Sequence, residues 1–240
     1  MEISVIFPAY NEADNIRSTI RKSLAALGPL FERFEILIVD DCGSDGTGRI
    51  ADDLAAQHPE IRVLHNERNM GQGASIVRGF REARYPLLLH NAIDYPFDLE
   101  DLSLMLPALA RADIVVAARL DRPGYSLYRS LASAVNRWLL HALFPLRLRD
   151  YNFVQLYPKS VWDDIQVEAR STAFLTPEAL IRAYDMGYRI EQVDVPYHAR
   201  PSGVATSGKP KVVLRSIQDM FRFWWKRLRG KTPQRGKRGR

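Results

Sequence analysis

An α/β fold with a mostly parallel central sheet is predicted by three features of this 240-residue sequence. Short β-rich apolar runs alternate with helical patterns through the first half. Units of that length set successive strands parallel, with helices on both faces. Acidic residues follow the strand runs, at the edge where open α/β sheets bind ligands.

Each element has a local reason. Ile3–Phe7 is an apolar strand run, and a helix over Ile16–Leu27 is expected after a cap at Asn11 or Asp14. Phe34–Val39 reads as a buried strand ending at Asp40-Asp41. Gly43, Gly46 and Gly48 make a turn into a helix over Gly48–Gln57, and Ile61–His65 is a short strand. Gly71–Ala83 is helical and Tyr85–Leu89 a strand, with another helix starting near Leu99. The second half is less regular. A strand is expected at Asp113–Ala118, a long helix at Ser126–Phe144, and a helix at Phe174–Asp185 opened by Thr176-Pro-Glu. A strand at Tyr188–Val195, a Gly/Ser/Pro loop at Pro201–Pro210 and a helix at Lys211–Arg229 complete the reading.

Composition sets limits. Hydrophobic residues at 46% and charged residues at 26% suit an ordinary globular core. The single cysteine, Cys42, gives no disulfide framework and fits a reducing, cytoplasmic setting. A signal-peptide pattern and an apolar run of membrane-spanning length are both missing. Charge is uneven: Lys209–Arg240 carries 12 basic residues against Asp219 alone, whereas the preceding 208 residues sum to −5. A basic tail on an acidic body points to a polyanionic partner, a membrane surface or nucleic acid.

Three motifs occur in order: Val5-Ile-Phe-Pro-Ala-Tyr-Asn-Glu12, Ile38-Val-Asp-Asp-Cys-Gly-Ser-Asp-Gly-Thr47 and Asn69-Met-Gly-Gln-Gly-Ala74. Together they resemble family 2 glycosyltransferases, which have the GT-A (Rossmann-like) three-layer fold. Within that family they are most similar to the polyprenyl-phosphate (dolichyl-phosphate) mannose synthase group. The resemblance runs from about residue 2 to about residue 215. It implies that Asp40 binds the nucleotide base, and that the loop holding Tyr10 and Glu12 contacts base and ribose. Pro8 fixes that loop's backbone, Asp41 belongs to the same nucleotide motif, and Gly71 and Gly73 let the next helix begin close to the ligand. Asp45 and Gly46 fit a plain Asx-capped turn. This chain has Gly43 where the family usually has Ser, and Gln72 where it usually has a basic residue.

The family's Asp-x-Asp, which holds a divalent cation against the donor diphosphate, is altered here. Two registers are open. One puts His90 and Ala92 at the acidic positions; the other, with one inserted residue, puts Asn91 and Asp94 there. The second supplies two hard oxygen donors suited to Mg²⁺ or Mn²⁺, with one negative charge fewer than usual. Asp98 is a further oxygen donor for that ion or, alternatively, the cap of the following helix.

The resemblance also implies an acceptor-phosphate site. Arg119 ends a strand, and Arg129 and Ser133 lie four apart on one helix face. Asp150 stands at the family's reaction centre: it is a general base for a hydroxyl acceptor, or a positioning group if the acceptor is a phosphate. Arg200 and Lys209 resemble the ends of a mobile acceptor loop.

On a helical wheel, Val213, Ile217, Met220, Phe221, Trp224 and Leu228 share one arc, with Lys211, Arg215, Arg222, Lys226 and Arg229 opposite. That pattern fits an interfacial membrane helix, an amphipathic helix packed on its own domain with solvated bases, or both, with the helix docked and Trp225 and the basic end touching lipid. No nucleic-acid motif accompanies the charge, which ranks a nucleic-acid partner behind a membrane. The expected organisation is a GT-A domain over 1–208, an amphipathic basic helix over 209–229 and a disordered basic tail over 230–240. The expected activity is inverting transfer of a sugar from a nucleoside diphosphate-sugar to polyprenyl phosphate, peripheral to the inner face of the cell membrane. Two alternatives stay open: a hydroxyl acceptor on a glycan or glycolipid, and a non-catalytic nucleotide-sugar binder with a decayed metal motif.

Overall fold

A computed structural model describes residues 1–94, 97–120, 127–169, 171–196 and 210–230, with backbone alone for 127–129 and 210–212. Arg200, Lys209, the 201–209 loop, the tail beyond 230 and the Arg129 side chain lie outside the described residues.

Seven strands form one sheet in the order β3-β2-β1-β4-β6-β5-β7. They are β1 (Glu2–Ala9), β2 (Arg33–Asp40), β3 (Ile61–His65), β4 (Leu87–His90), β5 (Ile114–Arg119), β6 (Gln155–Pro158) and β7 (Ile190–Val195). β1 pairs in parallel with β2 and β4, β2 with β3, and β5 with β7. Only β6 runs antiparallel, between β4 and β5. The C-terminal ends of β1, β2, β4 and β5 therefore share one edge with the start of β6.

Central strands are apolar on both sides because helices cover both faces. One core packs α1 (Ile16–Leu27), α2 (Thr47–Gln57) and α4 (Leu102–Met105) through residues such as Ile20, Leu54 and Met105. The other packs α3 (Gln72–Glu82), α6 (Lys159–Asp164), α7 (Thr172–Asp185), α8 (Pro210–Leu228) and the end of α5 (Leu127–Leu143), through Phe80, Trp162, Phe174 and Phe223.

Several boundaries differ from the sequence expectation. The residue before α1 is Asn15, not Asn11 or Asp14, and the Glu12 carbonyl accepts from the Asn15 and Ile16 amides. α7 begins four residues before Thr176, after Ser171, whose carbonyl accepts from Phe174 and Leu175; Pro177 lies within the helix. Beyond Leu99 the chain makes a 3-10 turn and only one α-helical turn, with the Asp98 side chain capping it as expected. β6 and α6 carry no clear periodicity, being four and six residues long.

Helix α8 follows the docked alternative. The expected apolar arc divides. Met220 and Phe223, with Ser216 and Asp219, are buried against the body, whereas Leu214, Phe221, Trp225 and Leu228 face outward. Three of its bases are engaged: Arg227 forks onto Asp185 at 2.7 and 2.9 Å, Lys226 bonds Glu168, and Arg222 meets Asp219 at 3.3 Å. α8 is thus packed into the domain's second core. Helix α5 shows the opposite distribution. Leu131, Ala134, Val135, Trp138 and Ala142, at helical spacing, all point outward, with Trp138 67% exposed.

Candidate functional site

The functional edge is built on three loops. Pro8 and Ala9 close β1 in register with Val39 and Asp40. The loop after β1 is tied to the loop after β2: the Glu12 amide donates to Thr47 Oγ1 (2.8 Å) and the Ala13 amide to Asp45 Oδ2 (2.9 Å). Asp45 Oδ1 accepts from the Thr47 amide at 3.0 Å, so Asp45 is the turn cap its position suggested. Ser44 donates its amide to Asn11 Oδ1 at 2.9 Å. A Cβ on Gly43 would sit 2.8 Å from that oxygen, which explains why no side chain stands there. Asn11 and Cys42 both take positive φ, 55° and 60°. Such backbone strain concentrates at ligand sites. Tyr10 is half exposed on the rim.

Asp40 and Asp41 are adjacent but do different work. Asp41 is buried and satisfied: Oδ1 accepts from Asn66 Nδ2 (2.7 Å) and the Met70 amide (2.8 Å), Oδ2 from the Gly71 amide (2.8 Å). It braces the segment that leads into α3, where Gly71 takes a φ of 85°. Gly73 sets the first turn of α3 against Thr172 of α7. Asp40 has Oδ2 at 3.0 Å from His65 Nδ1, and its enclosed Oδ1 has no hydrogen-bond partner among the described residues. A carboxylate offers about four lone-pair sites, so Asp40 retains acceptor capacity that Asp41 has used.

The two residues expected to hold a metal, Asn91 and Asp94, both follow β4. Asn91 is buried; its Nδ2 donates to the Phe97 carbonyl (2.9 Å) and its Oδ1 accepts from the Ala92 amide (3.0 Å). Its amide group is thus engaged with Phe97 and Ala92, which leaves its oxygen one further lone pair. Asp94, partly exposed in the turn that follows, is the carboxylate of the pair. His90 lies on the other face of β4, edge-on to Phe80, and burial holds its pKa down to about 4. It is a neutral packing residue. Among the described residues no three His, Cys, Asp or Glu side chains converge as a metal centre would.

At the end of β5 the structure joins two residues that the sequence reading kept apart. Arg119 grips Asp150 bidentately, Nε to Oδ2 at 2.6 Å and Nη2 to Oδ1 at 3.0 Å, with side chains 10% and 4% exposed. The guanidinium also lies 4.8 Å from the Phe153 ring centroid. Asp150 Oδ1 accepts the Asn152 amide as well (3.2 Å). Tyr151 steadies the preceding loop by donating to the Leu146 carbonyl at 2.6 Å, and burial raises its phenol pKa. The pair opens into a cleft lined by Ser133, Asn136 and Arg137 of α5 and by Arg149. Arg137 and Arg149 were missed in the sequence. The available signal was the four-residue spacing Arg129, Ser133, Arg137, which sets a third polar residue on the same face.

Residues 4–161 match Glycosyl transferase family 2, and the chain belongs to that family. It is 26% identical over 237 residues to Glycosyltransferase AglD of Haloferax volcanii, covering 94% of this chain and 37% of that protein. It is 34% identical over 122 residues to the undecaprenyl-phosphate mannosyltransferase of Micrococcus luteus, covering 50% of this chain and 49% of that one. The dodecaprenyl-phosphate galacturonate synthase of Rhizobium johnstonii shares 25% over 228 residues, covering 92% and 67%. The chain thus spans between about a third and two thirds of these curated relatives' lengths. Among solved structures, glucosyl-3-phosphoglycerate synthase of Mycobacterium tuberculosis with Mn²⁺, UDP-glucose and phosphoglyceric acid superposes with a TM-score of 0.73 at 19% identity, covering 93% of this chain and 80% of that one. Mannosyl-3-phosphoglycerate synthase of Rubrobacter xylanophilus gives 0.69 at 16%, covering 100% and 78%. The fold is GT-A.

Proposed function

We propose that this chain transfers a sugar from a nucleoside diphosphate-sugar to a polyprenyl phosphate, with inversion, while resting on a membrane surface. The observation that carries the reading is the cleft lined by Arg119, Ser133, Arg137 and Arg149, on the same sheet edge as Asp40, although the Arg149 guanidinium is also paired with Asp194. Guanidinium groups suit phosphate oxygens. Relatives named for undecaprenyl and dodecaprenyl phosphate support the same acceptor class.

A phosphate acceptor is favoured over a hydroxyl because of Asp150. A hydroxyl needs a general base, yet both Asp150 oxygens already accept from Arg119. A phosphate is itself anionic and nucleophilic. Asp150 then orients Arg119, and Arg119, Arg137 and Arg149 receive the acceptor, with Arg129, Arg200 and Lys209 as further contacts. Asp40 accepts from the base; Pro8, Tyr10 and Glu12 shape the loop around it, and Asp41, Gly71 and Gly73 hold the approach to α3. A divalent ion, Mg²⁺ or Mn²⁺, would be held by Asp94 and would offset diphosphate charge, with Asn91 bracing the turn.

No helix among the described residues is long and apolar enough to cross a membrane. The outward stripe of α5 stands on the helix whose inner face lines the cleft, and α8 presents Leu214, Phe221, Trp225 and Leu228 with Arg215 and Arg229. Apolar residues flanked by bases suit an anionic lipid surface, each base adding about 1 kcal/mol.

The test is transfer of label from radiolabelled UDP- and GDP-sugars to undecaprenyl phosphate in detergent. Label in the organic phase is expected. Label confined to water-soluble glycan would favour the hydroxyl reading. Donor binding without any turnover would favour the non-catalytic one.

A further inference from the structure

His65 closes β3 with its imidazole between two carboxylates. Nδ1 lies 3.0 Å from Asp40 Oδ2, and Nε2 lies 3.0 Å from Asp52 Oδ1 of α2. A neutral imidazole carries one N–H, so only the imidazolium donates to both acids. Asp40 and Asp52 are the charged groups facing the ring among the described residues. Arg78 of α3 approaches the backbone instead, donating to the His65 carbonyl at 2.6 Å. The hydrogen bond to Asp40 raises the His65 pKa most; burial opposes it, and the hydrogen bond to Asp52 with the charges of both acids leaves the net shift upward.

Helix α2 completes the clamp. A Cβ on Gly48 would lie 2.6 Å from Asp40 Oδ2 and 3.5 Å from His65 Cε1, so the bare backbone there lets carboxylate and ring sit against the helix. Asp40 is thereby held by one oxygen, with acceptor capacity left over.

We infer that His65 is a positioning residue of the nucleotide site: its imidazolium fixes the Asp40 carboxylate between β2 and α2, so that a nucleobase N–H meets a preset acceptor. The inference rests on the reading of Asp40 as the base acceptor. A preset acceptor spares the ordering cost that binding would otherwise carry. Since the His65 pKa is raised, the two-sided clamp is complete below the ordinary histidine value of about 6.5; as pH rises through the folded-state value the neutral ring keeps one N–H and holds Asp40 only in the Nδ1–H tautomer.

Titration calorimetry of UDP and of GDP, each with Mn²⁺, from about pH 6 to about pH 8.5 tests this. His65→Asn places an amide N–H near the Nδ1 position and keeps the Asp40 bond. His65→Gln places it near Nε2 and keeps only Asp52. The ring is half exposed, so neither change threatens folding. Wild-type affinity should fall about tenfold across the range, a difference of about 1.4 kcal/mol. His65→Asn should bind near the wild-type low-pH value with a flat profile, and His65→Gln should bind about tenfold more weakly throughout. Titration of the nucleotide itself is common to all variants and cancels. A wild-type profile in His65→Gln, or a His65→Asn as weak as His65→Gln, overturns the inference. Asp40→Asn separates the two claims. If it binds like wild type, the Asp40 reading fails. If it abolishes binding while the His65 variants match wild type, only the inference about His65 fails.

Discussion

The Arg119–Asp150 pair is where stability and acceptor binding meet, and its removal one partner at a time is informative. Asp150→Ala leaves a guanidinium with a side chain only 10% exposed facing an apolar neighbour, Phe153. Breaking a buried pair by deleting one member costs about 3–5 kcal/mol, because the other charge stays desolvated. That is a large share of the roughly 5–15 kcal/mol that holds a domain together. With a urea slope of about 2.5 kcal/mol per molar, the unfolding midpoint should fall by roughly 1.5 M with the slope unchanged. Arg119→Leu should cost slightly less, because Asp150 keeps the Asn152 amide. The double variant Arg119→Leu/Asp150→Leu should recover at least half of the Asp150→Ala loss, since neither charge then occupies the buried position. It should fold yet fail to use lipid phosphate. Urea titrations followed by far-ultraviolet circular dichroism supply the numbers. Single losses below about 1 kcal/mol that simply add would mean a solvated pair, as at a surface, and would refute the buried-fork argument.

Three further outcomes follow from particular residues. Gly48→Ala should push the Asp40 carboxylate off His65 and weaken UDP or GDP binding about tenfold while the melting temperature stays close to wild type, read by calorimetry and thermal scanning. Cys42→Gly should relieve a positive φ and stabilise by about 1 kcal/mol, raising the melting temperature by about 2–4 °C. Leu131→Ser with Trp138→Ser, both two-thirds exposed, should leave stability within about 0.5 kcal/mol but reduce co-sedimentation with anionic vesicles; unchanged co-sedimentation would remove α5 from the membrane surface.

Much of the fold was legible because its first half obeys local rules. The runs around Ile3–Phe7, Phe34–Val39 and Ile61–His65 became β1, β2 and β3 nearly as read, and α1 has the expected bounds. Strand-end acids were legible too: Asp40 ends β2 at the sheet edge, as its place after the apolar run implied. What escaped depends on long-range contact. Nothing local to Asn91 says that its amide will close a turn onto Phe97. Arg119 and Asp150 are 31 residues apart, and only the insertion of antiparallel β6 brings them together. A wheel drawn on α8 orders its residues by hydrophobicity, whereas the docked helix buries Met220 and Phe223, pairs with Asp185 and Glu168, and leaves Phe221 and Trp225 outward.

The central claim is that an anionic lipid phosphate is the nucleophile, received by the arginine cleft. Undecaprenyl phosphate and undecaprenol, which differ by the phosphate alone, should be offered in parallel with the same labelled donor. The account predicts transfer to the phosphate and none to the alcohol, with Arg137→Ala lowering the first. Equal transfer to the alcohol would contradict it and return Asp150 to the role of general base.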